Sequence, residues 1–104
     1  MFKSYMIIGI LPLLAFSVAA ETTEKGKIIF TQGHTVPSCR TVQHKENATG
    51  TIRHFRIADI PTDDDIGGIV LSALMANRDV TIYYEQNRTS GCGTEPRIIY
   101  TTVY

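Results

Sequence analysis

Residues 63–85 read DDDIGGIVLSALMANRDVTIYYE, and a change of hydrophobic period within this stretch decides the fold. Apolar side chains first recur at positions i, i+3, i+4, i+7 and i+8, namely Ile66, Ile69, Val70, Ala73 and Leu74. This spacing predicts a helix with one buried stripe. We expect Thr62 or Asp63 to cap the first turn of this helix, and Asn77 to end it.

Beyond residue 77 the apolar positions alternate, so Val80, Ile82 and Tyr84 share one face of a predicted strand at 79–85. Four other segments have the composition of strands: 27–31, 40–45, 51–58 and 97–104. We expect a β-bulge near Arg53 or His54, because Ile52 is out of phase with the apolar residues that follow it. Residues 46–50 and 87–96 read as loops.

The predicted element order is β-β-β-α-β-β. This order defines a mainly β chain with one helix, and it is the order of the OB-fold, a five-stranded Greek-key barrel. We therefore predict an OB-fold-like barrel with one disulfide, formed as a single domain by residues 21–104. Such a length excludes a multidomain enzyme and a doubly wound cofactor fold.

The first twenty residues have the pattern of a secretory signal peptide. Lys3 is followed by an apolar run, and Val18 and Ala20 place small side chains before a cleavage point at Glu21. The apolar run is shorter than the ~20 residues that cross a bilayer, so we expect no stable membrane insertion. Removing Lys3 leaves nine basic against ten acidic residues. This balance argues against a nucleic-acid partner, and the predicted location is secreted or periplasmic.

Cys39 and Cys92 are the two cysteines of the chain. In an exported protein a disulfide between them is the default expectation. A metal pair or a catalytic thiol is the rival interpretation, but two cysteines so far apart make a poor metal signature. In an OB barrel the loops that carry them lie close together, which agrees with a disulfide.

The segment Ile69-Val70-Leu71-Ser72-Ala73-Leu74-Met75-Ala76-Asn77 runs into Val80-Thr81-Ile82-Tyr83-Tyr84. This pattern resembles the receptor-binding B subunits of AB5-type bacterial toxins, over roughly the C-terminal half of the chain. The resemblance implies a ring-shaped pentamer that binds cell-surface glycans, with the helices facing a central pore. The chain lacks tryptophan and a recognisable sugar-binding signature, so no binding residue is transferred from that family.

Other clusters have both a chemical and a structural interpretation. Asp63-Asp64-Asp65 can be read as calcium ligands, but the spacing of an EF-hand is missing, and acidic residues suit a helix start. The three histidines fit no zinc motif: His34, His44 and His54. No serine lies in a nucleophile elbow. We therefore predict no catalytic residue, no metal and no cofactor.

Two sets of side chains offer contact surfaces. Arg53, His54 and Arg56 interleave with Phe55, a pattern of single-stranded nucleic-acid platforms but also of a solvated strand edge. Four tyrosines fall on the last two strands, where they either pack in the barrel or contact a sugar or a protein: Tyr83, Tyr84, Tyr100 and Tyr104.

We predict an exported module that binds a glycan or a protein through loops 35–40 and 88–95, pinned by the disulfide. The candidate binding residues are His34, Ser38, Arg40, Arg88, Thr89, Ser90 and Glu95. The alternative is an exported inhibitor of a hydrolase or a small exported enzyme.

Leu71 and Met75 widen the apolar surface of the helix beyond its stripe. They indicate either a homo-oligomer, with a ring implied by the toxin resemblance, or packing under the long loops of a monomer.

Overall fold

The computed structural model describes residues 20–104. Apart from Ala20, the predicted signal peptide lies outside the described residues and stays a prediction. The strands are β1 (Ala20–Thr22), β2 (Gly26–Gln32), β3 (Thr41–Glu46), β4 (Ile52–Arg56), β5 (Asp79–Thr89) and β6 (Pro96–Val103). The described residues contain one α-helix, α1, at Asp64–Ala76, and short 3-10 turns at Pro37–Cys39 and Pro61–Asp63.

Five of these strands close into a barrel, as the sequence predicts. The order around it is β2-β3-β4-β6-β5, and β5 returns to β2. All neighbours are antiparallel except β4 and β6, which run parallel and pair through Arg56 and Arg97. With α1 between β4 and β5, this is an OB-fold-like arrangement. β1, which the sequence analysis missed, adds a sixth strand by pairing Glu21 with Tyr84 of β5.

The barrel interior is filled by β-branched and aromatic side chains from every strand except β1. The fully buried members include Val42, Phe55, Val80, Ile82 and Ile98. Phe55 meets Tyr84 edge to face, with ring centroids 5.0 Å apart. His44 is also fully buried, and its Nε2 lies 2.9 Å from the Val80 carbonyl oxygen. The His44 side chain thus links β3 to the backbone of β5 within the core, while its buried Nδ1 has no hydrogen-bond partner among residues 20–104.

Helix α1 covers the barrel with a narrower stripe than the sequence predicts. Ile66, Val70 and Ala73 are buried, and Leu74 packs against the core while partly exposed. Ile69 is 40% exposed, so its predicted burial is wrong: it lies at the edge of the stripe and lines a surface groove.

The predictions for the two ends of α1 have different outcomes. Asp63 occupies the N-cap position, as predicted, but neither it nor Thr62 makes the side-chain bond of a capping residue. The 3-10 turn at Pro61–Asp63 leads directly into the helix. Asn77 ends the helix as expected: its φ of 55° is left-handed, and its backbone N–H donates to the Leu74 carbonyl.

Two strand predictions need correction. β4 pairs with β3 in unbroken register, so no bulge lies near Arg53 or His54. Ile52 simply faces outward and is 46% exposed. The irregularity in the β2–β3 ladder lies instead between Ile28 and Phe30 of β2. β5 continues to Thr89, so the loop before β6 is 90–95 rather than 87–96.

Candidate functional site

The predicted disulfide is present and joins the two predicted loops. Cys39 and Cys92 are bonded, with their Cα atoms 5.2 Å apart. Cys39 ends the 3-10 turn before β3, and Cys92 lies in the loop between β5 and β6. The covalent link therefore fastens the β2–β3 loop to the β5–β6 loop.

Hydrogen bonds fasten the same two loops. The Ser90 hydroxyl donates to the Ser38 carbonyl at 2.6 Å. Arg56 of β4 donates from Nη1 to the Cys39 carbonyl at 2.7 Å and from Nε to Glu95 Oε1 at 2.9 Å. The bond from Arg56 holds the pKa of Glu95 below its usual range. Ser38, Ser90 and Glu95 thus hold the loops in place.

Arg40, another predicted binding residue, is also engaged within the fold. Its Nε donates to the Pro37 carbonyl at 2.7 Å, and its Nη2 donates to the Ala58 carbonyl at 2.9 Å. Its Nη1 lies 3.6 Å from Asp64 Oδ1 at the start of α1. Arg40 therefore connects the loop, the segment after β4 and the helix.

The other three predicted residues are exposed and do not converge. His34 accepts a bond from the Val36 backbone N–H at its Nδ1, within its own loop. Arg88 and Thr89 lie at the end of β5 rather than in a loop, and Arg88 pairs with Glu85 at 3.2 Å. The structure brings Ser38, Ser90 and Glu95 together at the disulfide, and leaves His34, Arg88 and Thr89 apart.

A cleft opens beside these loops, where the barrel wall is incomplete. β4 pairs with β6 through Arg56 alone, so within residues 20–104 no strand pairs with the outer edge of β4 from Ile52 to Phe55. The β4–β5 cleft has a volume of about 330 Å³ and is lined by Ile52, Arg53, His54, Phe55, Tyr84, Gln86 and Pro96. Buried Phe55 and Tyr84 form its floor.

Beside the cleft, the Glu21 carboxylate is held by two of the residues that line it. The Tyr84 hydroxyl donates to Glu21 Oε1 at 3.1 Å, and the Gln86 amide donates to Glu21 Oε2 at 2.9 Å. These bonds, from Gln86 above all, hold the pKa of Glu21 below its usual range. Burial raises the pKa of Tyr84, and its bond to Glu21 adds to this.

The β4 wall of the cleft carries a cation that is already paired. Arg53 Nε donates to Glu46 Oε2 at 3.0 Å, and this bond lowers the pKa of the nearly buried Glu46. Next along β4, His54 is exposed, and none of the hydrogen bonds among residues 20–104 involves its side chain. Since Arg53 and Arg56 both face carboxylates, the strand is a poor electrostatic platform for nucleic acid.

Two residues of the acidic run at the start of α1 face basic side chains within the fold. Asp63 is buried, with Oδ2 3.9 Å from Arg97 Nη2, and Asp64 faces Arg40. Within residues 20–104 no group of three histidine, cysteine or acidic side chains is placed to hold a metal ion. The same part of the chain contains no helix long and apolar enough to cross a membrane.

Comparisons of the chain with protein-family models, with curated proteins and with solved structures find no match. The resemblance of residues 69–84 to toxin B subunits therefore stays a prediction.

Sequence reasoning found part of the cleft and missed the rest. It singled out Arg53, His54 and Phe55 as an interleaved strand, but it did not connect them with Glu21, Tyr84 and Gln86. These six residues come together only because β5 lies across the barrel from β4 and carries β1 on its edge. The alternation of Tyr84 and Gln86 along β5 was the one available signal.

Proposed function

We propose that this chain is an exported binding module that recognises a glycan, with the β4–β5 cleft as the ligand site. One observation carries the proposal: the cleft combines an aromatic floor with amide, imidazole and guanidinium groups, and its Tyr84 and Gln86 hold the neighbouring Glu21 carboxylate. Such a mixture suits a pyranose ring, whose faces are apolar and whose edge carries hydroxyl groups. The volume falls within the usual range for small ligands, about 300–1,000 Å³.

The rigidity of the cleft supports the same proposal. Glu21 is fixed by Tyr84 and Gln86, and Arg53 is fixed by Glu46. Groups held before binding lose little entropy when a ligand arrives. The disulfide is compatible with an oxidising compartment, and the resemblance to glycan-binding toxin subunits favours this ligand class.

A glycan array probed with the purified, oxidised protein tests the proposal. We expect binding that weakens about three- to tenfold in His54→Ala, because one hydrogen bond to the ligand is lost. His34→Ala is the matched control, since it changes an exposed histidine in the β2–β3 loop. Loss of binding in His34→Ala alone would move the site to the loops, and an array silent at high protein concentration would refute glycan recognition.

A hydrolase inhibitor is the second candidate, favoured by the loop at 90–95. This loop is anchored by the disulfide, by Ser90 on Ser38 and by Glu95 on Arg56. A rigid exposed loop is what a protein inhibitor presents to its target. Inhibition of an exported hydrolase at a one-to-one ratio, together with a silent array, would favour this candidate over the first.

A further inference from the structure

A second, larger depression runs along the outer side of α1. Its volume is about 610 Å³, and α1 forms one side while Val103 of β6 and Arg78 form the other. Small side chains one turn apart line the helical side: Gly68, Ser72 and Ala76. We call this depression the α1 groove.

The rim of the α1 groove is unusually apolar for a free surface. Ile69 and Val103, which line it, are 40% and 41% exposed. Met75, one residue before Ala76 on the solvent side of the helix, is 79% exposed. Clustered exposed apolar side chains mark protein contact surfaces more often than isolated ones do.

We propose that the α1 groove is the interface of a two-fold symmetric homodimer, in which α1 of each copy lies antiparallel in the groove of the other. The small side chains allow the two helices to approach closely. In an antiparallel pair centred on Ser72, Gly68 faces the partner's Ala76. The apolar rim of each copy then covers that of the other, as a self-complementary contact requires.

The charges at the two ends of the α1 groove favour an antiparallel second copy of the chain as the partner. Asp65 lines one end, seven positions before Ser72, and Arg78 lines the other, six positions after it. Antiparallel pairing on Ser72 therefore brings each Asp65 to within about one position of the partner's Arg78, just beyond the end of the partner's α1. Neither residue forms an ion pair with another side chain among residues 20–104, although Arg78 donates from Nε to the Tyr104 backbone oxygen at 2.6 Å. A parallel pair would instead place like charges together, which is unfavourable.

The dimer differs from the ring that the toxin resemblance implies. A ring repeats a contact between two different surfaces, whereas this groove meets a copy of itself. The proposal is also independent of the β4–β5 cleft, because the two depressions share no lining residue. Failure of the glycan experiment therefore leaves the dimer untouched.

Charge reversal measured by analytical ultracentrifugation tests the proposal. We expect the oxidised wild-type protein to have the mass of two chains at tens of micromolar. Asp65→Arg and Arg78→Glu should each raise the dimer dissociation constant about tenfold or more. The double variant restores opposite charges and should return to within about threefold of the wild type. A double variant no tighter than either single variant would overturn the proposed pairing.

Cross-linking at the symmetry axis gives an independent readout. Ser72 is exposed, and in the proposed dimer it lies beside the partner's Ser72. Ser72→Cys should form a covalent two-chain product under mild oxidation, with the 72–72 link identified by peptide mapping. Ala48→Cys, in the exposed β3–β4 hairpin, is the control and should stay uncross-linked. A wild-type mass of one chain, or of a larger ring, would refute the dimer.

Discussion

Replacing both Cys39 and Cys92 by alanine should lower the free energy of unfolding by about 4 kcal/mol. The two residues are separated by 53 positions, and the chain-entropy model assigns about this value to a loop of that length. For a domain with the predicted bounds 21–104, a total stability of about 4–13 kcal/mol is typical. The disulfide therefore contributes a large fraction of the free energy of unfolding of the barrel.

We expect the native contacts of the two loops to survive this substitution, so that the lost stability comes from the unfolded chain. The bonds from Ser90 to Ser38 and from Arg56 to the residue 39 carbonyl and Glu95 do not involve sulfur and should persist. Urea unfolding followed by circular dichroism should show a lower midpoint and a steeper dependence on urea, since the open chain exposes more surface. A loss below about 1 kcal/mol with an unchanged slope would refute the entropic argument.

Two further predictions concern the core. Val70→Ala should lower the free energy of unfolding by about 1–3 kcal/mol, because Val70 is fully buried. Ile69→Ala should lower it by less than about 1 kcal/mol, because Ile69 lies at the exposed edge of the stripe. Equal losses for the two variants in urea unfolding would contradict the observed orientation of α1. Burial lowers the pKa of His44 in the folded protein below its ordinary value of 6.5. The folded state therefore binds the His44 proton less readily than the unfolded state does. The stability is fully present above pH 6.5 and declines as the pH falls below that value. In His44→Gln, thermal melts between pH 7 and pH 5 should lose this decline, and an unchanged pH profile would assign the effect to other groups.

Much of the barrel could be predicted from sequence because period and composition agreed along most of the chain. Local sequence determines both the alternating burial of Val80, Ile82 and Tyr84 and the end of α1 at the left-handed Asn77. Both features could therefore be predicted without knowledge of the tertiary contacts. Ile69 could not be placed correctly, because the width of a buried stripe depends on what packs against it. β1 has three residues and no alternating pattern, and it is held by pairing with β5.

The candidate site was harder to predict because its residues meet through closure of the barrel. The predicted loop residues were chosen for their nearness to the disulfide, and most of them turned out to be bonded within the fold. Glu21 and Tyr84 lie 63 positions apart and meet only through the β1–β5 pairing. The polarity of Ser38, Arg40 and Glu95 could be seen in the sequence, but their partners could not.

The short pairing between β4 and β6 determines how firmly each end of β4 is held in the barrel. Arg56 and Arg97 form its single parallel pair, while β3 holds the other edge of β4 through five pairs. At the Arg56 end, the bonds to Cys39 and Glu95 tie β4 to the cross-linked loops. At the Ile52 end, β4 has no comparable anchor on β6, and a short ladder opens at low cost. The cleft lies at this end, so its β4 wall is kept in place by the pairs with β3 and by the bond from Arg53 to Glu46, and not by a ladder to β6.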